Sequence, residues 1–147
     1  MMNAMTAMDT NAVLNRLLVL HHRSLPMYVS QATPWVGPGH EAAWEAVQSV
    51  ARDHQVTADR FGAMVLTSDG VPTYGEFPIR YTALNDLALD FLLVRIIEYE
   101  RQLIRRISEC ADLVRMSPAV QACVLESLGE AKAHLQLLEE VASQPQA

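Results

Sequence analysis

Apolar residues recur at helical spacing in four stretches of the chain, and these stretches predict four α-helices. Each stretch places its apolar side chains three or four positions apart, so that they share one face of a helix. No stretch alternates apolar and polar residues as a half-buried strand does. The predicted helices cover residues 10–33, 40–67, 82–114 and 117–143.

The residues that begin and interrupt helices refine this picture. Pro26 lies inside the first helical pattern and cannot donate to the carbonyl of His22, so we expect a kink there. Thr82 is placed to cap the third helix. Ser117, followed by Pro118, has the form of an N-cap with proline at the first helical position.

The connections between the helices predict their arrangement. Short Gly/Pro-containing turns join the first helix to the second and the third to the fourth, which favours two antiparallel pairs. Residues 68–81 lack helical period and are long enough to run the length of a helical bundle. Two hairpins joined by one long crossover form an antiparallel four-helix bundle of the ferritin-like arrangement. A simple up-down bundle with a loose loop is the alternative.

Length and composition narrow the class of protein. A chain of 147 residues, half of them hydrophobic, predicts one domain with a sizeable core, preceded by a flexible segment at 1–9. The net charge of −6 argues against nucleic-acid binding, which needs a basic surface. The chain shows no signal peptide or membrane span, so we expect a cytoplasmic protein with Cys110 and Cys123 reduced and packed.

Four polar residues on the helical stripes are predicted to meet inside the bundle. In an antiparallel pair, residues equally far from the turn face each other, and helices rise about 1.5 Å per residue. His21 and His54 lie almost equally far from the first turn, and Glu98 and His134 equally far from the second. Imidazole and carboxylate groups are ligands for iron, zinc or manganese. The spacing therefore predicts one metal site built from one residue of each helix.

A packing role is the alternative for these residues. A single histidine in a protein core is often hydrogen-bonded to its neighbours and binds no metal. His22 stands beside His21, and one of the two can face solvent. On that interpretation the polar residues hydrogen-bond to one another without an ion.

At these positions the chain resembles the ferritin-like superfamily, and bacterioferritin in particular, over residues 11–142. The segment TADRFGAMVLTSDGVP is similar to the end of the second helix and the start of the crossover in that family. Tyr28 matches an aromatic position of the first helix, and the separation of Glu98 from His134 matches two of the family's ligands. The resemblance implies a ferritin-like bundle with ligands on all four helices.

The family's di-iron site does not carry over. Its helix-one glutamate position is His21, its helix-two Glu-x-x-His motif begins at His54 and ends at Thr57, and its helix-four motif runs from Ala131 to His134. Both bridging glutamates are therefore missing, and two irons need several carboxylates to balance their charge. The haem methionine position is Gln55, which implies that no haem is bound.

Two functions stay open at this point. The first is a single divalent metal ion held by His21, His54, Glu98 and His134. The second is a non-enzymatic bundle with a decayed site that serves as an oligomeric scaffold or binds a partner protein. A second apolar face on the third helix predicts a homodimer in either case, and it contains Leu89, Leu93, Ile96 and Ile97.

Overall fold

The computed structural model describes residues 2–144, and the side chains of residues 10–144. All regular structure in this part of the chain is helical, which confirms the predicted all-α class. The chain forms five α-helices, because the first predicted helix is divided in two. They are α1 (Met2–His22), α2 (Leu25–Ala32), α3 (Glu41–Thr67), α4 (Leu89–Leu113) and α5 (Pro118–Ser143), with a 3-10 helix at Ile79–Leu84.

The break between α1 and α2 accounts for the kink predicted at Pro26. Proline is tolerated in the first turn of a helix, where its missing N–H would have no partner. A new helix therefore begins at Leu25, and its N-cap is Ser24, whose Oγ accepts a hydrogen bond from the backbone N–H of Met27 at 3.3 Å. At the other end, α1 begins at Met2, so residues 2–9 are helical where we expected a flexible segment. Methionine and alanine dominate this stretch and both favour helix.

The remaining helix boundaries agree with the sequence except at the third predicted helix. That helix starts at Leu89, seven residues later than Thr82. The prediction of a Thr82 cap is wrong, because its hydroxyl donates to the carbonyl of Ile79 within the 3-10 helix at 2.8 Å. Ser117 does occupy the N-cap position of α5, although its side chain makes no capping hydrogen bond.

The segment between α3 and α4 runs alongside α1 and α2. Its hydrogen-bond partners move steadily along those helices, from Asn11 near its start, through Asn15 and Arg23, to Tyr28 near its end. Leu89 then donates its backbone N–H to the carbonyl of Trp35, beside the turn from which α3 departs. Helices α3 and α4 consequently start at the same end of the molecule, and the long segment spans the distance between them.

The interior lies between two principal helix pairs. Helix α1 packs against α3, and α4 packs against α5. Further contacts join α3 to α5, α1 to α4, and α2 to both α3 and α4. No helix in the described part of the chain is long and apolar enough to cross a membrane. Both cysteines are free, and burial raises the pKa of the Cys110 thiol, which keeps it protonated in the core.

The apolar face that we assigned to a second subunit is part of the protein's own core. Leu89, Leu93, Ile96 and Ile97 are all buried within the chain. The face of Glu98, which we expected to point inward, is exposed instead, and Phe91 on that face has 65% of its full accessibility. The buried face continues through Leu103 and Ile107 with Glu100 as its one charged member, whereas the exposed face becomes charged after the midpoint of α4. The basis for the homodimer prediction is therefore corrected, and the dimer itself stays a prediction.

Candidate metal centre

Three buried residues from three helices meet in the interior. They are His54 of α3, Glu100 of α4 and His134 of α5. Each offers one ligand atom, and these three atoms lie within 4.8 Å of one another. Their relative exposures are 1%, 0% and 9%, so the group is almost closed to solvent.

Each of these residues lies in an apolar stripe of its helix. His54 is preceded by Val50 and followed by Ala58 on the buried face of α3. Glu100 stands one turn from Ile96 and three residues from Leu103 in the core-facing stripe of α4. Helix packing alone would favour an apolar residue at each position, and the polar side chains have a desolvation cost that their partners must offset.

Both ring nitrogens of His54 are hydrogen-bonded. Its Nε2 lies 2.9 Å from Oε1 of Glu100, and its Nδ1 lies 2.6 Å from Oγ of Ser24. Ser24 is itself fully buried and holds its hydroxyl in place as the N-cap of α2. The break between α1 and α2 therefore sets the orientation of the His54 ring. The other carboxylate oxygen of Glu100, Oε2, is buried and has no hydrogen-bond partner in the described structure.

His134 is oriented by a carboxylate at the edge of the site. Its Nε2 lies 2.9 Å from Oδ2 of Asp53, which is half-exposed. A carboxylate can only accept, so His134 carries a proton on Nε2 and donates it to Asp53. Its Nδ1 is buried and has no partner among the described residues. In the neutral ring this nitrogen bears a free lone pair.

His21 lies beside the group and is not one of its three members. Its ring centroid is 5.3 Å from that of His54, and it is 3% exposed. Its Nδ1 donates to the carbonyl of Leu17 at 2.8 Å, since a carbonyl oxygen only accepts. Burial, followed by the nearby His54, lowers the pKa of His21 to about 3. The ring is therefore neutral at physiological pH.

The structure places the predicted glutamate outside the group. Glu98 lies on the surface of α4, with its side chain 53% exposed and its carboxylate 3.7 Å from Arg101. Glu100, two residues later, takes the interior position. Two residues rotate a helical side chain by roughly 200°, so the choice of the wrong face moves the ligand across the helix.

Sequence reasoning therefore located two of the three clustered residues and missed Glu100 and Ser24. The signal for Glu100 was present in the apolar stripe that continues from Ile96 through Leu103 to Ile107. Ser24 had a weaker signal, because a serine two residues before a proline marks a helix start only if the helix is interrupted there.

The series Ser24, His54 and Glu100 has the order of a nucleophile, a base and an orienting acid, but its surroundings exclude that chemistry. Ser24 is 0% exposed, and its Oγ already accepts from the N–H of Met27. A substrate must reach the nucleophile, and here the fold covers it on all sides. Ser24 is accordingly a positioning residue for His54.

Comparison of the chain with models of protein families, with curated proteins and with solved structures finds no match. The chemistry of the site is therefore argued from its donor atoms. Hydrogen bonds fix one ring nitrogen of each histidine, Nδ1 of His54 and Nε2 of His134. The other ring nitrogens and the carboxylate of Glu100 form a set of N and O donors that could hold a metal ion.

Neutral His21 makes the stability of the metal-free protein depend on pH. Its folded pKa of about 3 lies below the ordinary histidine pKa of 6.5, so the unfolded chain binds more protons between these values. Stability is lost as the pH falls from about 6.5 towards 3. We expect this residue alone to lower the free energy of unfolding by about 2 kcal/mol between pH 7 and pH 5.

Urea unfolding in the presence of a chelator measures this effect, with His21→Leu as the comparison. The variant should show a shallower loss of stability over the same pH interval, because leucine does not titrate. Equal pH slopes for the two proteins would mean that His21 is not held neutral by burial.

Proposed function

We propose that this protein is a ferritin-like four-helix bundle that binds one divalent metal ion through His54, Glu100 and His134. The observation that supports it most strongly is the pair of buried atoms without partners, Oε2 of Glu100 and Nδ1 of His134. Buried polar atoms are nearly always hydrogen-bonded. A cation coordinated between them would satisfy both atoms and offset the desolvation of the carboxylate.

The hydrogen bonds around the site also support a metal ion. Histidine ligands characteristically donate their second ring N–H to a carboxylate or another oxygen, which fixes the tautomer and the ring orientation. Asp53 provides this contact for His134, and Ser24 provides it for His54. Both contacts leave the opposite nitrogen of each ring for the ion, with Nε2 on His54 and Nδ1 on His134.

The positions of the site support the ferritin-like part of the proposal. Four of the positions that match the ferritin-like family's ligand positions are buried in this protein: His54, Thr57, Ala131 and His134. Helices α3 and α4 begin at the same end, as a long crossover between two hairpins requires. The carboxylate of α4 is the exception, since it is displaced by two residues to Glu100.

The donor set defines the kind of ion. Two imidazoles and one carboxylate suit zinc, iron or manganese. A single carboxylate balances the charge of one divalent ion more readily than the charge of two such ions. Three protein ligands leave one coordination position open, as in catalytic zinc sites, and we assign that position to water. His21 would line this position as a neutral ring. A bound ion there would act as a Lewis acid towards the water.

Metal uptake by the purified chain tests the proposal. We expect native mass spectrometry of the chelator-treated protein to show one Zn²⁺, Mn²⁺ or Fe²⁺ per chain. Absence of stoichiometric uptake of all three ions would contradict the proposal.

Removal of an orienting hydrogen bond should weaken binding without abolishing it. We expect Asp53→Asn and Ser24→Ala each to lower the metal affinity about 10–100-fold, because the histidine ring loses its fixed tautomer or orientation. Asp59→Asn is a matched control, since Asp59 is exposed on the same helix and bonds only to Gln55. Competition titration with a chromophoric chelator measures the affinities. An equal loss in the Asp59 variant would point to a general charge effect.

A non-enzymatic scaffold is the second candidate function. The contact between His54 and Glu100 favours it, because the two buried side chains already hydrogen-bond to each other without an ion. A homodimer would then use the exposed part of α4 that contains Phe91 and Val94. Sedimentation velocity of Phe91→Ser against the parent protein tests this surface, and a monomer at all micromolar concentrations would contradict the dimer.

A further inference from the structure

Much of the positive charge of this acidic protein is concentrated in one groove. Three hollows adjoin along α4, where they share Gln102, and Arg80, Tyr81 and Arg106 each line two of them. Their walls come from α1, α4 and the segment that contains the 3-10 helix. Six of the chain's eleven basic residues line these hollows: Arg16, Arg23, Arg80, Arg95, Arg105 and Arg106.

Most of this charge is not neutralised by the protein itself. In the described part of the chain, Arg80, Arg95, Arg105 and Arg106 form no ion pair with a carboxylate. The remaining two have structural contacts. Arg16 lies 3.8 Å from Glu109, and Arg23 donates to backbone carbonyls of the connecting segment.

The acidic residues in the groove do not cancel the unpaired arginines. Glu98 lies 3.7 Å from Arg101, and Glu109 is paired with Arg16. Glu76 is the third carboxylate in these walls. Four guanidinium groups therefore face the groove against one carboxylate without an ion pair, in a protein whose net charge is −6.

The widest hollow combines this charge with an apolar wall. It has a volume of about 440 Å³, within the range of small-molecule sites. Arg80 and Arg95 line it together with Leu84, Leu87 and the ring of Tyr81. Guanidinium groups recognise phosphate and carboxylate oxygens through paired N–H donors, and an apolar wall accommodates a hydrocarbon or aromatic body.

We propose that this groove binds a small organic anion that carries a phosphate or carboxylate group on an apolar body. The guanidinium groups of Arg80 and Arg95 in the widest hollow hold the anionic group, and the leucine and tyrosine side chains contact the rest. The groove shares no residue with the metal centre. Tyr99, which precedes Glu100 in the chain, lines the groove, and its hydroxyl donates to the carbonyl of Leu20 at 2.6 Å. The proposal is therefore independent of metal binding.

Calorimetric titration with phenyl phosphate tests this proposal, and inorganic phosphate serves as the probe without an apolar body. We expect phenyl phosphate to bind with a sub-millimolar Kd and inorganic phosphate to bind at least about fivefold more weakly. Arg80→Gln and Arg95→Gln should each weaken phenyl phosphate binding about five- to tenfold through loss of one guanidinium contact. Arg115→Gln is the charge-matched control, because Arg115 lies beyond the end of α4 and pairs with Asp112. This variant should bind phenyl phosphate as tightly as the parent protein does.

Three results would overturn the proposal. The first is no heat of binding with phenyl phosphate up to about 5 mM. The second is an equal loss in the Arg115 variant, which would indicate a general charge effect. The third is binding to phosphatidylglycerol vesicles without binding to phenyl phosphate, which would assign the groove to a lipid surface. Circular dichroism of each variant shows that its helices are intact, since all the substituted arginines are exposed.

Discussion

Glu100→Gln is expected to lower the affinity for a divalent ion by at least about 100-fold, whereas Glu98→Gln leaves it unchanged. The amide keeps the volume of the side chain and a hydrogen-bonding oxygen beside His54, but it removes the only carboxylate among the three ligands. Loss of an orienting hydrogen bond alone costs about 10–100-fold, and loss of a charged ligand should cost more.

The two glutamates form a matched pair for this experiment. They are separated by two residues on one helix, carry the same charge and undergo the same substitution, but only Glu100 is buried. Competition titration with Zn²⁺ and a chromophoric chelator gives both affinities on one scale. If the two variants lost the same metal affinity, the result would contradict the assignment of Glu100 as the ligand.

His54→Ala is expected to destabilise the metal-free protein by about 3–5 kcal/mol. Glu100 is 0% exposed and its described hydrogen-bond partner is His54, so truncation leaves a buried carboxylate without compensation. The substitution also opens a cavity among close-packed side chains and leaves the hydroxyl of Ser24 without its imidazole partner. Urea unfolding in the presence of a chelator measures the difference in the free energy of unfolding.

A double substitution separates the lost interaction from the lost volume. The variant in which both His54 and Glu100 are replaced by leucine should be more stable than the sum of its single variants predicts, because it leaves no unpaired buried charge. We expect a coupling free energy of about 2–3 kcal/mol from this cycle. Simple additivity of the two leucine substitutions would mean that the histidine and the glutamate do not stabilise each other.

The sequence predicted the helices well where apolar spacing and helix-terminating residues agree. The second predicted helix, at 40–67, differs from α3 by one residue, and Ser117 and Pro118 correctly marked the start of α5. The split of the first helix was visible only as a kink at Pro26. A kink and a complete break depend on whether a nearby side chain can cap a new helix, and that contact forms only in the folded chain.

The candidate site was predictable as far as each helix had one apolar face. His54 and His134 lie on single stripes and were placed correctly in the interior. Helix α4 begins with apolar residues on two faces, and comparison of heights along the helix could not distinguish Glu98 from Glu100. The C-terminal half of the helix decides between them, because Leu103 and Ile107 continue the apolar stripe that contains Glu100. The pairing of Ser24 with His54 depends on the break in another helix and could not be inferred from local spacing.

The same error reversed the two faces of α4 in the prediction of a dimer. Residues expected to contact a second subunit form the core, and Phe91 and Val94 are exposed in their place. One choice of face thus determined both the predicted ligand and the predicted interface, since all side chains of a helix rotate together.

Anomalous diffraction from crystals grown with Zn²⁺ tests the central claim most directly. We expect one strong peak inside the protein, about 2.0–2.2 Å from Nε2 of His54, a carboxylate oxygen of Glu100 and Nδ1 of His134. Asp53 should keep its hydrogen bond to Nε2 of His134 in that structure. A zinc-saturated crystal with no peak among these three side chains, and with Nε2 of His54 still bonded to Glu100, would contradict it.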